Sequence, residues 1–326
     1  MTPIYANLAP MAGYTDSVFR SICGDLGCAS ATSEMISSVA LTHKDEKTAL
    51  LSEITEQEPP VFLQLFGHDP AIMAEAADIL LSGSFSGCRY ARPPVGIDIN
   101  MGCPVKKIVS SGDGSALMRD PVLAAAIVSS VKRTCDKYAA RLSVKFRLGW
   151  DDEHINAVGF ALGMADSGAD TITLHCRTKA QMYAPSARPH YCADVRAALD
   201  SSGHKAVSLI GNGDVDSRES AEEYLSLGCN GVSVGRAALG DPWLFDALAH
   251  PDTFVPPTLD ERLALIKSYV TAVSDKLGEV RGIRESRSRA AYLLHGIRGG
   301  AKVRDALNHA VTLDEFITEL YKIKEI

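Results

Sequence analysis

Short runs rich in Val, Ile, Leu and Thr recur along the chain, each followed by a longer stretch whose apolar residues return every three or four positions. The first texture predicts buried strands and the second amphipathic helices. The strand-like runs are Ile4–Ala12, Ala29–Met35, Val61–Phe66, Gly96–Asn100, Leu142–Arg147, Thr171–Cys176, Val207–Gly211 and Gly231–Gly235. Helical patterns cover Ser17–Leu26, Pro70–Leu81, Pro121–Tyr138, Ala157–Ser167, Tyr191–Ser201, Ser217–Leu227 and Pro242–Ala249, and the crossover near His43–Leu51 has the weakest pattern. Asp69-Pro70, Asp120-Pro121 and Asp241-Pro242 each offer a capping carboxylate followed by proline at the first helical position.

Eight strand–helix units within about 250 residues predict an α/β fold of the (β/α)8 TIM-barrel kind, with its active site at the C-terminal ends of the strands. An open doubly wound sheet would carry Gly-x-Gly-x-x-Gly after its first strand, and that fingerprint is missing. After Ala249 the texture changes: Pro251, Pro256 and Pro257 mark a linker, and Thr258–Ile326 reads as helices alone. The expected organisation is a barrel over residues 1–250 and a small all-helical domain over 251–326. Gly83–Pro94 reads as a long loop feeding the N-terminal end of the fourth strand, where no catalytic role is expected.

Composition narrows the class. The chain has 326 residues, 46% hydrophobic and 22% charged, which suits a globular protein with a sizeable core. Its first residues lack a basic region followed by an apolar run, and no stretch approaches the ~20 apolar residues of a membrane span. Cysteines at 23, 28, 88, 103, 135, 176, 192 and 229 form no Cys-x-x-Cys pair. That scatter predicts a reducing cytoplasm, without a disulfide scaffold or a metal site. The net charge of −7 argues against nucleic acid covering the whole surface, yet Lys276–Arg304 sets eight basic residues against two acidic ones. Such a block is either a phosphate-binding face or the solvated side of ordinary helices.

The predicted strand ends carry the candidate chemistry. The first ends in Pro10-Met11-Ala12, small enough to let a flat ring approach; the third carries Gln64; the fourth delivers Asn100 and Cys103. Lys145 and Arg147 alternate on the fifth, and cations inside barrel strands are costly to bury unless they meet a partner. The sixth delivers His175 and Arg177. The last two end in Gly211-Asn212-Gly213-Asp214 and Gly235-Arg236, where barrels of this kind commonly bind phosphate. A phosphate there, with Lys145 and Gln64 under a planar ring, points to FMN. Cys103 precedes Lys106, Lys107 and a Gly/Ser stretch, Ser110–Ser115, expected to be a flexible loop.

These residues resemble the tRNA-dihydrouridine synthases, particularly the bacterial B-type branch. The resemblance rests on Ala9–Asp16, Gln64-Leu65-Phe66-Gly67, Asp98–Pro104, Gly114–Met118, Val144–Arg147, His175–Thr178, Gly211–Asp214 and Gly235-Arg236-Ala237, in order along the barrel. It implies an FMN barrel followed by a helical tRNA-binding domain, with no obligate protein partner and a monomeric state. Pro10, Met11, Ala12, Gln64, Lys145, His175, Asn212, Gly213, Asp214, Gly235 and Arg236 would hold FMN. Asn100, Arg147, Arg177 and Tyr183 would contact the uracil or the tRNA. NADPH (or NADH) would reduce the flavin, hydride would pass to C6 of a uridine, and Cys103 would protonate C5 from the opposite face. Alternatives are an FMN-dependent reductase of a free pyrimidine, similar to dihydroorotate dehydrogenase, and a non-catalytic RNA-binding barrel.

Overall fold

The computed structural model describes residues 1–325. Eight parallel strands close into a barrel: β1 (Ala6–Leu8), β2 (Ser30–Thr32), β3 (Val61–Phe66), β4 (Gly96–Met101), β5 (Arg141–Arg147), β6 (Thr171–His175), β7 (Ser208–Asn212) and β8 (Gly231–Val234). Each pairs in parallel with its neighbours, and Leu8 opposite both Ala31 and Val234 closes the ring at β1. Ile36–Ser37 adds a two-residue stub beside β3. The predicted first run, Ile4–Ala12, shrinks to β1, because Pro10 has no N–H to donate and a turn starts at Ala12. The second run breaks after Thr32 for a similar reason of local bonding: the Ser33 side chain turns to the Glu34 carbonyl.

Strand parity sorts the side chains. Ile97, Ile99 and Met101 of β4, Leu142, Val144 and Phe146 of β5, and Ile172 and Leu174 of β6 face outward and are fully buried beneath the helices. The alternate residues enter the barrel. Asn7, Ser30, Thr32, Ser143, Thr173 and Ser208 line its lower interior, and Gln64, Asn100, Lys145, Arg147, His175 and Asn212 line its upper mouth. Gly96 is required where β4 meets β5, since a Cβ there would run into the Arg141 carbonyl oxygen.

Two of the three predicted caps form. Asp69 accepts from the N–H groups of Ala71 and Ile72 at 2.8 and 3.0 Å, and Asp120 from Leu123 at 3.0 Å. The third does not: the helix starts at Leu244, and the Asp241 carboxylate pairs with Arg262 instead. The Ser110–Ser115 stretch also departs from expectation. Lys106–Ser110 is helical, Gly114–Arg119 forms a 3-10 turn, and Ser115 donates from both N and Oγ to the Cys103 carbonyl at 3.1 and 2.9 Å. Those bonds fold the segment onto Cys103.

Helices Leu259–Leu277, Glu279–Leu293, Gly300–Leu307 and Leu313–Tyr321 enclose a second apolar cluster that includes Leu263, Val270, Ile283, Leu293 and Phe316. Capping boxes at Thr258/Glu261 and Thr312/Glu315 start two of them. They dock beside β1: Tyr269 donates to Asp16 at 2.9 Å, Lys276 pairs with Glu53, and Arg289 donates to the Tyr14 carbonyl. No helix among the described residues is long and apolar enough to cross a membrane.

Candidate active site

A cleft of about 790 Å³ opens at the C-terminal ends of the strands, within the range of small-molecule and cofactor sites. Every residue expected to act on ligand or substrate lines it, from Pro10, Met11 and Ala12 through Gln64, Asn100, Cys103, Lys145, Arg147, His175, Arg177 and Tyr183 to Asn212, Gly213, Asp214, Gly235 and Arg236. Parity and chain direction together bring all but Tyr183 there, because they sit on or just past inward positions of successive strands, while Tyr183 comes from the long loop after β6.

The floor is a hydrogen-bonded set of side chains. Lys145 Nζ donates to Asn212 Oδ1 at 2.9 Å, and Asn212 Nδ2 donates to the Ser233 carbonyl at 2.7 Å. Burial and then the neighbouring Arg147 charge pull Lys145 down to about 8, against the attraction of Asp98. Burial also holds His175 well below the ordinary imidazole value, helped by Arg147 and Lys145, so the ring is neutral at physiological pH.

Cys103 sits on the turn after β4. Asn100 Oδ1 accepts from the N–H groups of Gly102 and Cys103 at 3.1 and 2.9 Å. Arg147 Nε donates to the Gly102 carbonyl at 2.8 Å, and its Nη1 donates to those of Thr178 and Met182 at 3.1 and 2.9 Å. That arginine therefore ties the Cys103 turn to the loop after β6. Burial pushes the thiol above its ordinary range, outweighing the Val105 backbone and the charges of Arg147 and Lys145. The thiol is protonated at neutral pH.

The phosphate end differs from expectation in its charges. Asp214 places a carboxylate there, with Arg177 and Arg236 both on it, the latter at 3.0 Å, and the Ala187 N–H at 2.9 Å. Burial would raise this carboxyl, but Arg177, Ala187 and Arg236 hold it below the usual range. Arg177, expected at the substrate, is drawn inward: it is 2% exposed and its Nε donates to the Pro185 carbonyl. Tyr183 is 52% exposed, its ring 4.9 Å from the Arg236 guanidinium and 5.9 Å from that of Arg147.

Several cleft-lining groups are unpartnered. His175 Nε2 and Arg177 Nη1 are buried without a hydrogen bond. The backbone N–H groups of Gly213, Asp214, Gly235 and Arg236 donate to no described backbone carbonyl. A cationic lysine, orphaned donors and free backbone N–H groups fit a planar anionic ring carrying a phosphate, which is the chemistry of FMN.

Sequence reasoning missed Asp98, Met35, Tyr14 and Tyr292. Asp98 was legible, since it lies two residues before Asn100 on the same inward parity. Met35 lines the cleft beyond the end of β2, where the run had broken. Tyr292 comes from Glu279–Leu293 and packs edge-on against Tyr14 at 5.7 Å, a tertiary contact that no local pattern announces.

A (β/α)8 barrel with a protonated thiol and buried cations at its strand ends is a well-defined class of site, and comparison with known proteins gives it a family. Residues 7–325 match the model described as Dihydrouridine synthase (Dus), and the chain belongs to that family. A probable tRNA-dihydrouridine synthase 1 from Synechocystis sp. is 35% identical, covering 92% of this chain and 80% of its own. The tRNA-dihydrouridine synthase B of Xanthomonas campestris pv. campestris is 34% identical over 94% of this chain and 88% of its own. Among solved structures, a mandelate oxidase bound to (S)-2-phenylpropionate aligns with 76% of this chain and 67% of its own, at 16% identity and a TM-score of 0.45.

Proposed function

We propose that this protein is a tRNA-dihydrouridine synthase, reducing the C5–C6 double bond of uridines in tRNA, with FMN in the cleft and NADPH as reductant. The observation that carries this reading is the Cys103 thiol, kept protonated by burial and clamped by Asn100 and Arg147 at the mouth of a cationic cleft. Family membership and the names of the relatives support the substrate.

Gln64, Lys145 and His175 would hold the ring of FMN, with Pro10, Met11 and Ala12 beside it. The N–H groups of Gly213, Asp214, Gly235 and Arg236 would take its phosphate, with Asn212 and Asp214 orienting Lys145 and Arg236. Bound there, FMN would supply the hydride that C6 of the uracil ring requires, with NADPH as the source of its electrons. Lys145 keeps positive charge beside the ring. Cys103 holds the proton that C5 receives, so that hydride and proton together saturate the bond. The thiolate left behind faces the charges of Arg147 and Lys145, which stabilise it until solvent returns the proton. Asn100, Arg147 and Tyr183 would orient the base, and Arg177 would act through Asp214.

A uridine reaches this depth only when extruded from its stack. The barrel, residues 1–250, would carry the chemistry, and residues 251–326 would bind the tRNA backbone and present Tyr292 to the cleft rim. Single-turnover assays test the assignment: Cys103→Ala is expected to keep flavin and its reduction by NADPH while slowing dihydrouridine formation by about 10²–10⁴-fold. Dihydrouridine formation at the wild-type rate sinks the proton-donor role, and equal rates on free pyrimidines and tRNA sink the RNA substrate.

A further inference from the structure

A directed chain of amides lies beneath the Cys103 turn. Asp98 Oδ2 accepts from Gln64 Nε2 at 2.7 Å, Gln64 Oε1 accepts from Asn100 Nδ2 at 2.9 Å, and Asn100 Oδ1 accepts from the N–H groups of Gly102 and Cys103. A primary amide can lie in a network either way round. Here both ends forbid the reverse. A carboxylate only accepts and a backbone N–H only donates, so turning either amide over sets oxygen against oxygen or N–H against N–H. Burial raises the Asp98 carboxyl, while the Gln64 amide, the Ser143 hydroxyl and the Lys145 charge favour its ionised form.

Asp98 is 3% exposed and does not line the cleft, so it has no direct contact with whatever the cleft binds. Its hydrogen bonds act through Gln64 and Asn100, and its charge acts separately by raising Lys145. We propose that Asp98 is a positioning residue for the reaction: as the acceptor for Gln64 it anchors the far end of the Gln64–Asn100 amide chain, which holds the turn that aims the Cys103 thiol. The chain has a second consequence. With Oδ1 committed to the turn, Asn100 offers the cleft only N–H, held in this structure by a weak contact to Met35 Sδ at 4.0 Å, and so selects a hydrogen-bond acceptor on the base. The proposal rests on reading Cys103 as the proton donor.

The test compares FMN-loaded full-length wild type, Asp98→Ala and Asp98→Asn. Three rates are measured: flavin bleaching by NADPH, dihydrouridine formation in tRNA under single turnover, and iodoacetamide alkylation of Cys103, followed by mass spectrometry of its peptide in flavin-free protein. The alanine variant has no acceptor for Gln64. It is expected to lose about tenfold to a hundredfold in dihydrouridine formation, to alkylate Cys103 several-fold faster, and to bleach at the wild-type rate. The amide that Asp98→Asn introduces can still accept through its oxygen, so that variant is expected to stay within about threefold of wild type in all three rates.

The proposal is overturned if the alanine variant forms dihydrouridine at the wild-type rate. It is equally overturned if the asparagine variant is as slow as the alanine variant, which assigns the effect to charge, or if bleaching falls in parallel, which assigns it to the flavin. Should the alanine variant fail to fold or to hold flavin, the isosteric exchange Asp98→Asn with Gln64→Glu decides. In that double variant the new amide at position 98 donates to the new carboxylate at position 64, whose other oxygen still accepts from Asn100. Gln64→Glu alone sets two carboxylates face to face. The double variant is expected to recover at least about tenfold in the ratio of dihydrouridine formation to bleaching over the single variant, and no recovery refutes the amide chain. A wild type that forms no dihydrouridine refutes the proposed reaction, and the alkylation rates still decide the chain.

Discussion

Lys145 and Arg289 are both enclosed cations on regular elements, and their surroundings give them opposite roles. Lys145 bonds one side chain, Asn212, and opens to the cleft. Arg289 is 1% exposed, with its guanidinium 3.6 Å from the Phe19 ring, 5.3 Å from Tyr14 and 5.4 Å from Tyr269, and it donates to the Tyr14 carbonyl. A barrel sends alternate strand residues into one shared space, where charge stays available to a ligand. Helices packed face to face close around a charge and make it an anchor. Arg289 ties the helices after Thr258 to the loop behind β1, the loop that also lines the cleft.

The contrast breaks most readily at Arg147, where a cleft cation also serves as a clamp. Its three carbonyl partners need a planar fork with several donors, and a lysine ammonium cannot span them. Arg147→Lys is expected to lower dihydrouridine formation about a hundredfold, the loss of one or two charged hydrogen bonds. Retention of the wild-type single-turnover rate would show that charge alone suffices there. For the anchor, Arg289→Leu is expected to cost about 2 kcal/mol of stability, the scale of a desolvated cation–π contact, and to lower the thermal midpoint by a few degrees. An unchanged midpoint would remove its structural role.

The basic block sharpens the same lesson. Of its eight residues, Arg289 is buried, Lys276 pairs with Glu53, Arg281 pairs with Glu285, and Arg287 and Arg304 donate to the Ala310 and Leu294 carbonyls. Arg284, Arg298 and Lys302 are exposed and form no ion pair among the described residues. Replacing these three by alanine is expected to weaken tRNA binding about tenfold and to reduce the log–log salt slope by about two units. Replacing Arg281 and Arg287 is expected to move affinity by less than about threefold, the scale of a surface ion pair. Equal losses from the two sets would mean that position within the block does not matter.

What the sequence made legible follows the same division. Period-two parity placed Gln64, Asn100, Lys145, Arg147, His175 and Asn212 on one inner face, because a strand in a closed barrel leaves each side chain only two directions. Charge counting over Lys276–Arg304 had no such constraint. Whether an arginine meets solvent, a carbonyl or an aromatic ring depends on which helix packs against it, and that is set by residues far away, such as Phe19 and Tyr14. The same holds inside the cleft for hydrogen-bond direction. Asn100 and Arg147 were readable as polar groups at the site, but their commitment to the Cys103 turn appears only once the turn has folded.

The smallest effect separates chemistry from stability through pH. Lys145 has its affinity for a proton lowered, so it is charged below about 8 and neutral above it. His175 is already neutral throughout this range, and the Cys103 thiol, raised by burial, loses its proton above its ordinary value of about 8.5. Dihydrouridine formation is therefore expected to be flat between about pH 6.5 and 7.5. By pH 8.5 it should fall roughly fourfold as Lys145 discharges, and Lys145→Arg should move that fall to higher pH. Stability should follow the opposite sign. Between about pH 8 and the ordinary lysine value, the unfolded chain holds a proton that the folded protein has released, so this group's contribution to folding grows as pH rises. A rate that falls across that interval while the contribution of Lys145 to stability rises, measured against Lys145→Met, assigns the limb to the charge in the cleft. A rate and a stability that fall together would assign it to loss of the fold.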